Sequence, residues 1–513
     1  MLALLPRQKT RRALLLRPGL TCWRTDRAER AAFLLDNATY FSAAKAVMKQ
    51  ARRSIHLLGW AFEPKTQLEP DENGGGPKED QIAILLHDLA CERSDLDVRL
   101  LVWKSALLIS ASQHFFPHRA RKFFRHTPVK FRLDASVPMG ACHHQKVLVI
   151  DDWFAFCGGG DFGADRFDTI KHRDHDLRRT MPWGQPHQPR HEVMCLVEGP
   201  AAMALGDLFR RRWARECSVE LPAPAPPGPD RPQWPEHVKV DFTDVQVGIA
   251  RTEPDWRGHE EVRETERLHL ASIAAAETLI YLENQYLTAP IFAEALAARL
   301  AEPEGPEVVI VSTAKAPSWF DQATMDRTRS SFLERLIAAD AHGRFRAYCP
   351  WTRKGSASII VHSKVSIIDD RLLRAGSTNL NNRSAGFDTE CDVAVEADDE
   401  ATRAGIARFR SRLLAHYIGC STDDFHDTFG RTGSLAAAIE AHDLATPRRL
   451  RPLTPQPIGP LARLIAAYHL GDPADREDSW RPWKRKDVIE GERLRFLSDL
   501  KRVRAGLPPE GPV

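Results

Sequence analysis

Two histidines and two lysines of this 513-residue chain recur in the same order at the same spacing. His144 and Lys146 head the run "HQKVLVIDDWFAFCGGGDF" (144–162), and His362 and Lys364 head "HSKVSIIDDRLLRAGSTNL" (362–380). The runs align without a gap and are identical at His144/His362, Lys146/Lys364, Val147/Val365, Ile150/Ile368, Asp151/Asp369, Asp152/Asp370 and Gly158/Gly376. Repetition at half the chain length marks duplicated lobes, not a short solenoid period. Alternate side chains of a strand share a face, so His144 and Lys146 point the same way as Leu148 and Ile150. The pair therefore stands where a core-facing row runs out into open space.

Two imidazoles and two ammonium groups brought together suit cleavage of a phosphodiester without a metal. One neutral histidine attacks phosphorus and forms a covalent phosphohistidine. The other, protonated, gives its proton to the leaving oxygen and later deprotonates water or an alcohol. An ordinary histidine pKa of about 6.5 makes both protonation states accessible near neutrality. The lysines answer the negative charge that grows on the non-bridging oxygens; removing one such donor typically costs about 3–4 kcal/mol. Asn379 adds a neutral donor, while Gly376 and Ser377 let the loop backbone approach.

A catalytic imidazole needs a carboxylate on its other nitrogen. Asp151 and Asp369 complete each signature, yet they lie seven residues beyond the histidines, an odd number that puts them on the opposite face. They read as strand-end carboxylates bonding the following turn. The orienters are sought on a neighbouring strand, where "HEVMCLVE" carries Glu192 and "TECDVAVE" carries Glu390. The expectation is Glu192 behind His144 and Glu390 behind His362.

The positioning elements alternate strand and helix, which predicts an α/β fold: two pseudo-symmetric lobes, each a mixed sheet flanked by helices, with the site at their interface. Helical periodicity over 40–53 leads into a strand at 54–62, followed by strands at 98–103 and 191–199 and a helix opened by Pro200. The second half repeats the plan with strands at 278–287, 307–313 and 390–397 and a helix from residue 400. "LPAPAPPGPDRPQWPE" (221–236), seven of whose sixteen residues are Pro, is too Pro-rich to pair in a sheet and reads as the linker. The division expected is a basic tail at 1–34, a first lobe at 35–220, the linker at 221–236, a second lobe at 237–445 and a C-terminal tail at 446–513.

Composition narrows the function classes. Hydrophobic residues make up 43% and charged residues 27%, with a formal net charge of +3, so nothing argues for nucleic-acid binding. Nine cysteines without paired spacing read as reduced thiols in a cytosolic setting. No run reaches the ~18 apolar residues of a membrane span. No His/Cys set has metal-ligand spacing, so neither metal nor cofactor is expected; His172 and His175 read equally as surface or functional residues.

HxKxxxxD followed, after six intervening residues, by a Gly at a turn, present twice, resembles the phospholipase D superfamily. "HHQKVLVID", "GGGDF", "RFD" (166–168), "VEGPAA" (197–202), "YLENQYL" (281–287) and "NLNNRSAGFDTE" (379–390) resemble segments of its eukaryotic-type branch. The resemblance implies a phosphatidyl-histidine intermediate and hydrolysis or head-group exchange of a phospholipid at a membrane surface, by a monomer. It implies His144 as nucleophile, His362 as acid/base and Asn379 in the phosphate pocket. Substrate-pocket candidates beside it are Ser377, Gly159, Asp161, Asn284 and Gln285, the last two as pocket lining or interlobe contacts. Asp161 stands where many members have Asn, and is expected to bond backbone or a cation such as Arg166. Two alternatives stay open: a transferase like cardiolipin synthase, and a nuclease of the same superfamily. The chain shows no lipid-binding regulatory module, and "WRPWKRKD" (480–487) reads as an ordinary tail or an interfacial anchor for peripheral membrane association.

Overall fold

Short apolar runs build the frame. In the computed structural model the described residues are 13–105, 116–224, 228, 231–316, 319–456, 471–475 and a few positions between 494 and 502. The first half contributes strands Arg24–Leu35 (β1), Ser54–Gly59 (β2), Asp97–Trp103 (β3), Lys130–Asp134 (β4), Val147–Ile150 (β5), Phe154–Gly158 (β6), Arg190–His191 (β7) and Val193–Glu198 (β8). The second contributes Phe242–Glu253 (β9), Val262–Arg263 (β10), Leu279–Glu283 (β11), Glu307–Val311 (β12), Phe345–Pro350 (β13), Ile360–Val361 (β14), Val365–Ile368 (β15), Leu372–Gly376 (β16), Glu390–Glu396 (β17) and Leu450–Pro452 (β18).

Strand order makes the duplication explicit. The first half runs β4-β3-β2-β5-β6-β8-β1 and the second β13-β12-β11-β15-β16-β17-β9. In each, three parallel strands meet an antiparallel set at the repeated motif, so the fold is mixed α/β. β5, β6, β8, β15, β16 and β17 are buried throughout, and β5 and β6 accordingly read as continuous apolar runs instead of alternating ones. β1 pairs antiparallel with β9, so the two halves form one continuous sheet. That sheet folds back on itself: Cys157 of β6 and Cys391 of β17 touch at 3.7 Å between Sγ atoms. A shared apolar core includes residues of both halves and of the helices Pro200–Cys217 and Glu400–Ile418. Two outer cores lie beneath the remaining helices, one per lobe.

Two boundaries need correction. The expected 1–34 tail contains β1, a central strand, and Leu15 and Leu16 donate backbone N–H to Glu396 of the second half at 2.8–3.0 Å. β1 escapes a pattern reading because "RTDRAER" alternates with charges and only its last five residues are all buried. The expected C-terminal tail adds β18 to the edge strand β13 and buries Asp472, which accepts from Thr288 Oγ1 at 2.7 Å. The Pro-rich linker has no strand or helix among its described residues, yet it is not free of the first lobe: Arg231 stacks on Trp153 at 4.4 Å, and the Gln233 N–H donates to Gln50. "WRPWKRKD" lies outside the described residues. Among the described residues no helix is long and apolar enough to cross a membrane.

Candidate active site

Each repeated motif is built as an arm, a strand and a turn. Asp151 and Asp152 both adopt positive φ (54° and 51°), and the Trp153 N–H closes onto the Ile150 carbonyl at 3.0 Å. This is the geometry of a type I′ hairpin turn, which demands two left-handed residues. Asp369 and Asp370 repeat it at 53° and 48°. The Asp151 carboxylate accepts the N–H groups of Arg52, Arg53 and Ser54, each at 2.8 Å; Asp369 accepts those of Glu277, Thr278 and Leu279 at 2.7–2.8 Å. Asp152 is held by Arg210 and Asp370 by Arg410. Asp151 and Asp369, grouped with the catalytic candidates by signature, therefore lie at the far end of the strand, roughly 23 Å from the histidines along an extended chain. Their role is to fix the strand end.

At the other end, the arms cross the seam between the lobes. The His144 N–H donates to the Thr389 carbonyl of the second half at 3.0 Å, and the His362 N–H to the His191 carbonyl of the first at 2.9 Å. β14, just before His362, pairs in parallel with β7. Each histidine thus lands beside the orienter of the opposite lobe. His144 Nδ1 lies 2.9 Å from Glu390 Oε2, and His362 Nδ1 lies 2.5 Å from Glu192 Oε2. The expected pairing, Glu192 with His144 and Glu390 with His362, is exchanged. It assumed a partner within one lobe, whereas β6 separates β5 from β8, and the histidines precede their strands at the seam.

The four residues share one electrostatic site. Burial pushes the His144 pKa well below the usual histidine range, and the charges of Lys146 and Lys364 add to the fall. His362 falls for the same reasons, with Lys364, Arg190, Arg166 and Lys146 as the cations. Burial raises the Glu192 carboxyl to about 7 and lifts Glu390 well above its usual range. Burial thus disfavours charge on every member of both couples, and with Nδ1 engaged, Nε2 is the nitrogen left for chemistry. Lys146 Nζ donates to the His144 carbonyl at 2.7 Å, and Lys364 Nζ likewise to that of His362. Burial, opposed by Glu192 and reinforced by Lys146, brings Lys364 down to about 7.

The flanking candidates divide. Asn379 is buried, 4% exposed, and its Oδ1 has no hydrogen-bond partner. Asn284 is committed elsewhere: its Nδ2 donates to the Thr378 carbonyl at 3.3 Å and its Oδ1 accepts from Leu380 at 3.0 Å, bracketing Asn379. Gln285 is buried beside it, with its carbonyl accepting from Ser312 Oγ at 3.5 Å. Ser377 Oγ donates to Glu390 instead of facing a ligand. Gly159 is required because any Cβ there would overlap the Glu192 carboxylate. Asp161 accepts the Trp60 N–H at 3.0 Å, the backbone bond expected of it, and sits 3.5 Å from Lys146, while Arg166 pairs with Asp165.

Sequence reasoning missed Ser384, whose Oγ donates to Glu390 at 2.6 Å, and the Arg383–Asp388 clasp. Asp388 accepts the Cys142 N–H at 2.8 Å and Arg383 donates to the Gly140 carbonyl at 2.7 Å, so "RSAGFD" grips the arm that carries His144. These residues fall inside a recognised segment, but only the crossing of the arms gives them a task. His172, left undecided, is buried against Asp168.

Comparisons with known proteins agree with this frame. The family model described as "Phospholipase D" matches residues 47–246, and that described as "Cardiolipin synthase, PLD-like domain" matches 270–412. Phospholipase D alpha 1 of Vigna unguiculata is 24% identical across 77% of this chain and 65% of its own length. Phospholipase D1 of Saccharomyces cerevisiae is 22% identical across 76% of this chain and 29% of its own. The chain thus spans less than two thirds of these relatives. The phosphatidylserine synthase of Haemophilus influenzae superposes with a TM-score of 0.53 over 83% of this chain and 97% of that one, at 14% identity, a likeness of fold.

Proposed function

Since the chain belongs to the phospholipase D superfamily, we propose that it is a phosphodiesterase acting on the head-group bond of a phospholipid. The observation that carries the reading is the crossed pair of imidazole–carboxyl couples, each engaged at Nδ1, with the charges of two buried lysines acting on both histidines. His144 Nε2 attacks phosphorus; the bond from phosphorus to the head-group oxygen breaks, and His362 gives that oxygen its proton. His362 then takes a proton from water as the water oxygen attacks, the P–N bond breaks, and phosphatidic acid leaves. An alcohol in place of water gives a new phosphodiester by the same steps. Lys146, Lys364 and the Asn379 amide answer the charge on the non-bridging oxygens.

Mixed phospholipid vesicles with added ethanol test this. Phosphatidic acid together with phosphatidylethanol is expected. Cleavage of DNA with neither lipid product would overturn the lipid substrate, and exclusive transfer between lipids would replace hydrolysis by a synthase reaction.

A further inference from the structure

Four side chains scattered from residue 36 to residue 416 meet at the seam beside the Glu192–His362 couple. They are Asp36 at the end of β1, His172 in the loop after β6, His191 in β7 and His416 in the last turn of the Glu400–Ile418 helix. One ligand-capable atom from each lies within 4.8 Å of the others. The rings of His191 and His416 stand 4.8 Å apart, and His172 lies 6.0 and 5.6 Å from them.

The outward nitrogens all face acceptor oxygens. His172 Nδ1 is 2.9 Å from Asp168 Oδ2, His191 Nε2 is 3.2 Å from Glu283 Oε2, and His416 Nδ1 faces the Leu413 carbonyl. On the inner side, His191 Nδ1 and His172 Nε2 approach the two Asp36 oxygens at 2.8 and 3.4 Å. Asp36 Oδ2, His172 Nε2 and His416 Nε2 on the inner side, like His191 Nε2 on the outer, are buried atoms without a hydrogen-bond partner. Buried polar atoms are nearly always paired, and three orphans at one point ask for a shared partner.

We propose that Asp36, His172, His191 and His416 form a structural site for a zinc-class divalent ion. Three imidazoles and one carboxylate suit a borderline transition ion and are poor company for magnesium or calcium, which take oxygen ligands. Four protein ligands in a buried place make a closed, non-catalytic site. Fixing each ligand's far nitrogen on a carboxylate or carbonyl is the usual support of a metal-bound histidine. A purely hydrogen-bonded cluster leaves the three orphan atoms unexplained. The ion would tie β1 and the 168–172 loop of one lobe to the last helix of the other. It would also stiffen Glu192, whose N–H donates to Asp36 Oδ1 at 3.1 Å and whose carbonyl accepts the Asp36 N–H at 2.8 Å.

The test uses untagged full-length protein loaded with zinc, dialysed and analysed for metal, then reloaded with cobalt(II). About one zinc per chain is expected, with the visible absorption of four-coordinate cobalt and a melting temperature raised by roughly 5 °C at thousand-fold excess over the dissociation constant. His172→Asn and His416→Asn should each lose the ion and that thermal gain, and cobalt absorption in the wild type stands even if a variant misfolds. Absence of stoichiometric metal, or zinc retained equally by both folded variants, would overturn the site.

Discussion

The two copies of the motif share a backbone plan but not a chemical one. In the second half, Glu390 accepts hydroxyl donors from Ser377 and Ser384, and Asn379 stands uncharged by the pocket. In the first, Gly159 replaces the serine, so that among the described residues Glu192 has the Val193 N–H at 3.2 Å beside His362, and Asp161 replaces the asparagine 3.5 Å from Lys146. Because the arms cross, the well-supported carboxylate serves His144 and the bare one serves His362. The two carboxyls thus differ in their surroundings, two hydroxyl donors at Glu390 against one backbone N–H at Glu192, while burial raises both, Glu192 to about 7 and Glu390 well above its usual range.

Breaking either couple gives the largest effect. His144→Ala and His362→Ala should each lower kcat by more than about 10³-fold, because nucleophile and acid act as a unit. His362→Asn should accumulate a phosphohistidine adduct in mass spectra of acid-quenched protein, and His144→Asn should not; the reverse would exchange the tasks. Glu390→Gln and Glu192→Gln come next, with losses on the order of 10²-fold. The crossing itself is read by NMR: Glu192→Gln should remove the low-field Nδ1 proton of His362 and spare that of His144. Loss of the His144 signal instead would restore the uncrossed pairing.

The lysines sharpen the contrast at a smaller scale. Lys146 lies beside Asp161, whereas Lys364 has the neutral Asn379 in that place and a pKa brought down to about 7, mainly by burial. As pH rises through that value in the free enzyme, Lys364 loses its proton and the pocket loses a positive charge. Hence kcat/KM should fall up to about tenfold per pH unit on the alkaline side. kcat should fall less, since bound phosphate holds the proton in place. Lys364→Arg keeps its charge at all these pH values and should move the limb upward, at about tenfold lower activity because arginine is no isostere. A wild-type kcat/KM that stays flat from neutral to alkaline pH would break the assignment.

The repeat, the strand faces and the identity of both orienting glutamates are legible in the sequence because they depend on local periodicity and short motifs. The parity count that removes Asp151 from His144 is of this kind. Which glutamate serves which histidine depends on where two arms cross a seam, and no spacing within one lobe encodes it. β1 carries Arg and Glu along its first turns of alternation, so its central place emerges only when β8 and β9 flank it. The Asp36–His172–His191–His416 cluster has no spacing at all in sequence terms; it exists only where the ends of three segments of one lobe meet a helix of the other.

The smallest effect on activity should come from the most conspicuous letters of the signature. Asp151 and Asp369 each accept three backbone N–H groups at 2.7–2.8 Å, and both occupy the left-handed region. Asn tolerates that conformation and keeps one acceptor oxygen, so Asp151→Asn and Asp369→Asn isolate the charge-assisted bonds from the turn. Charge-assisted bonds contribute about 1.5–3 kcal/mol, and these are partly solvent-exposed, so a loss of about 1–2 kcal/mol in unfolding free energy is expected by denaturant titration. kcat, measured well below the melting transition, should stay within about a factor of three, since the acids stand at the strand end opposite the histidines. Matching losses in the two halves would mean that the strand-end anchor is the one part of the motif that duplication left equal. A hundred-fold fall in kcat at unchanged stability would instead put the signature aspartates back among the reacting groups.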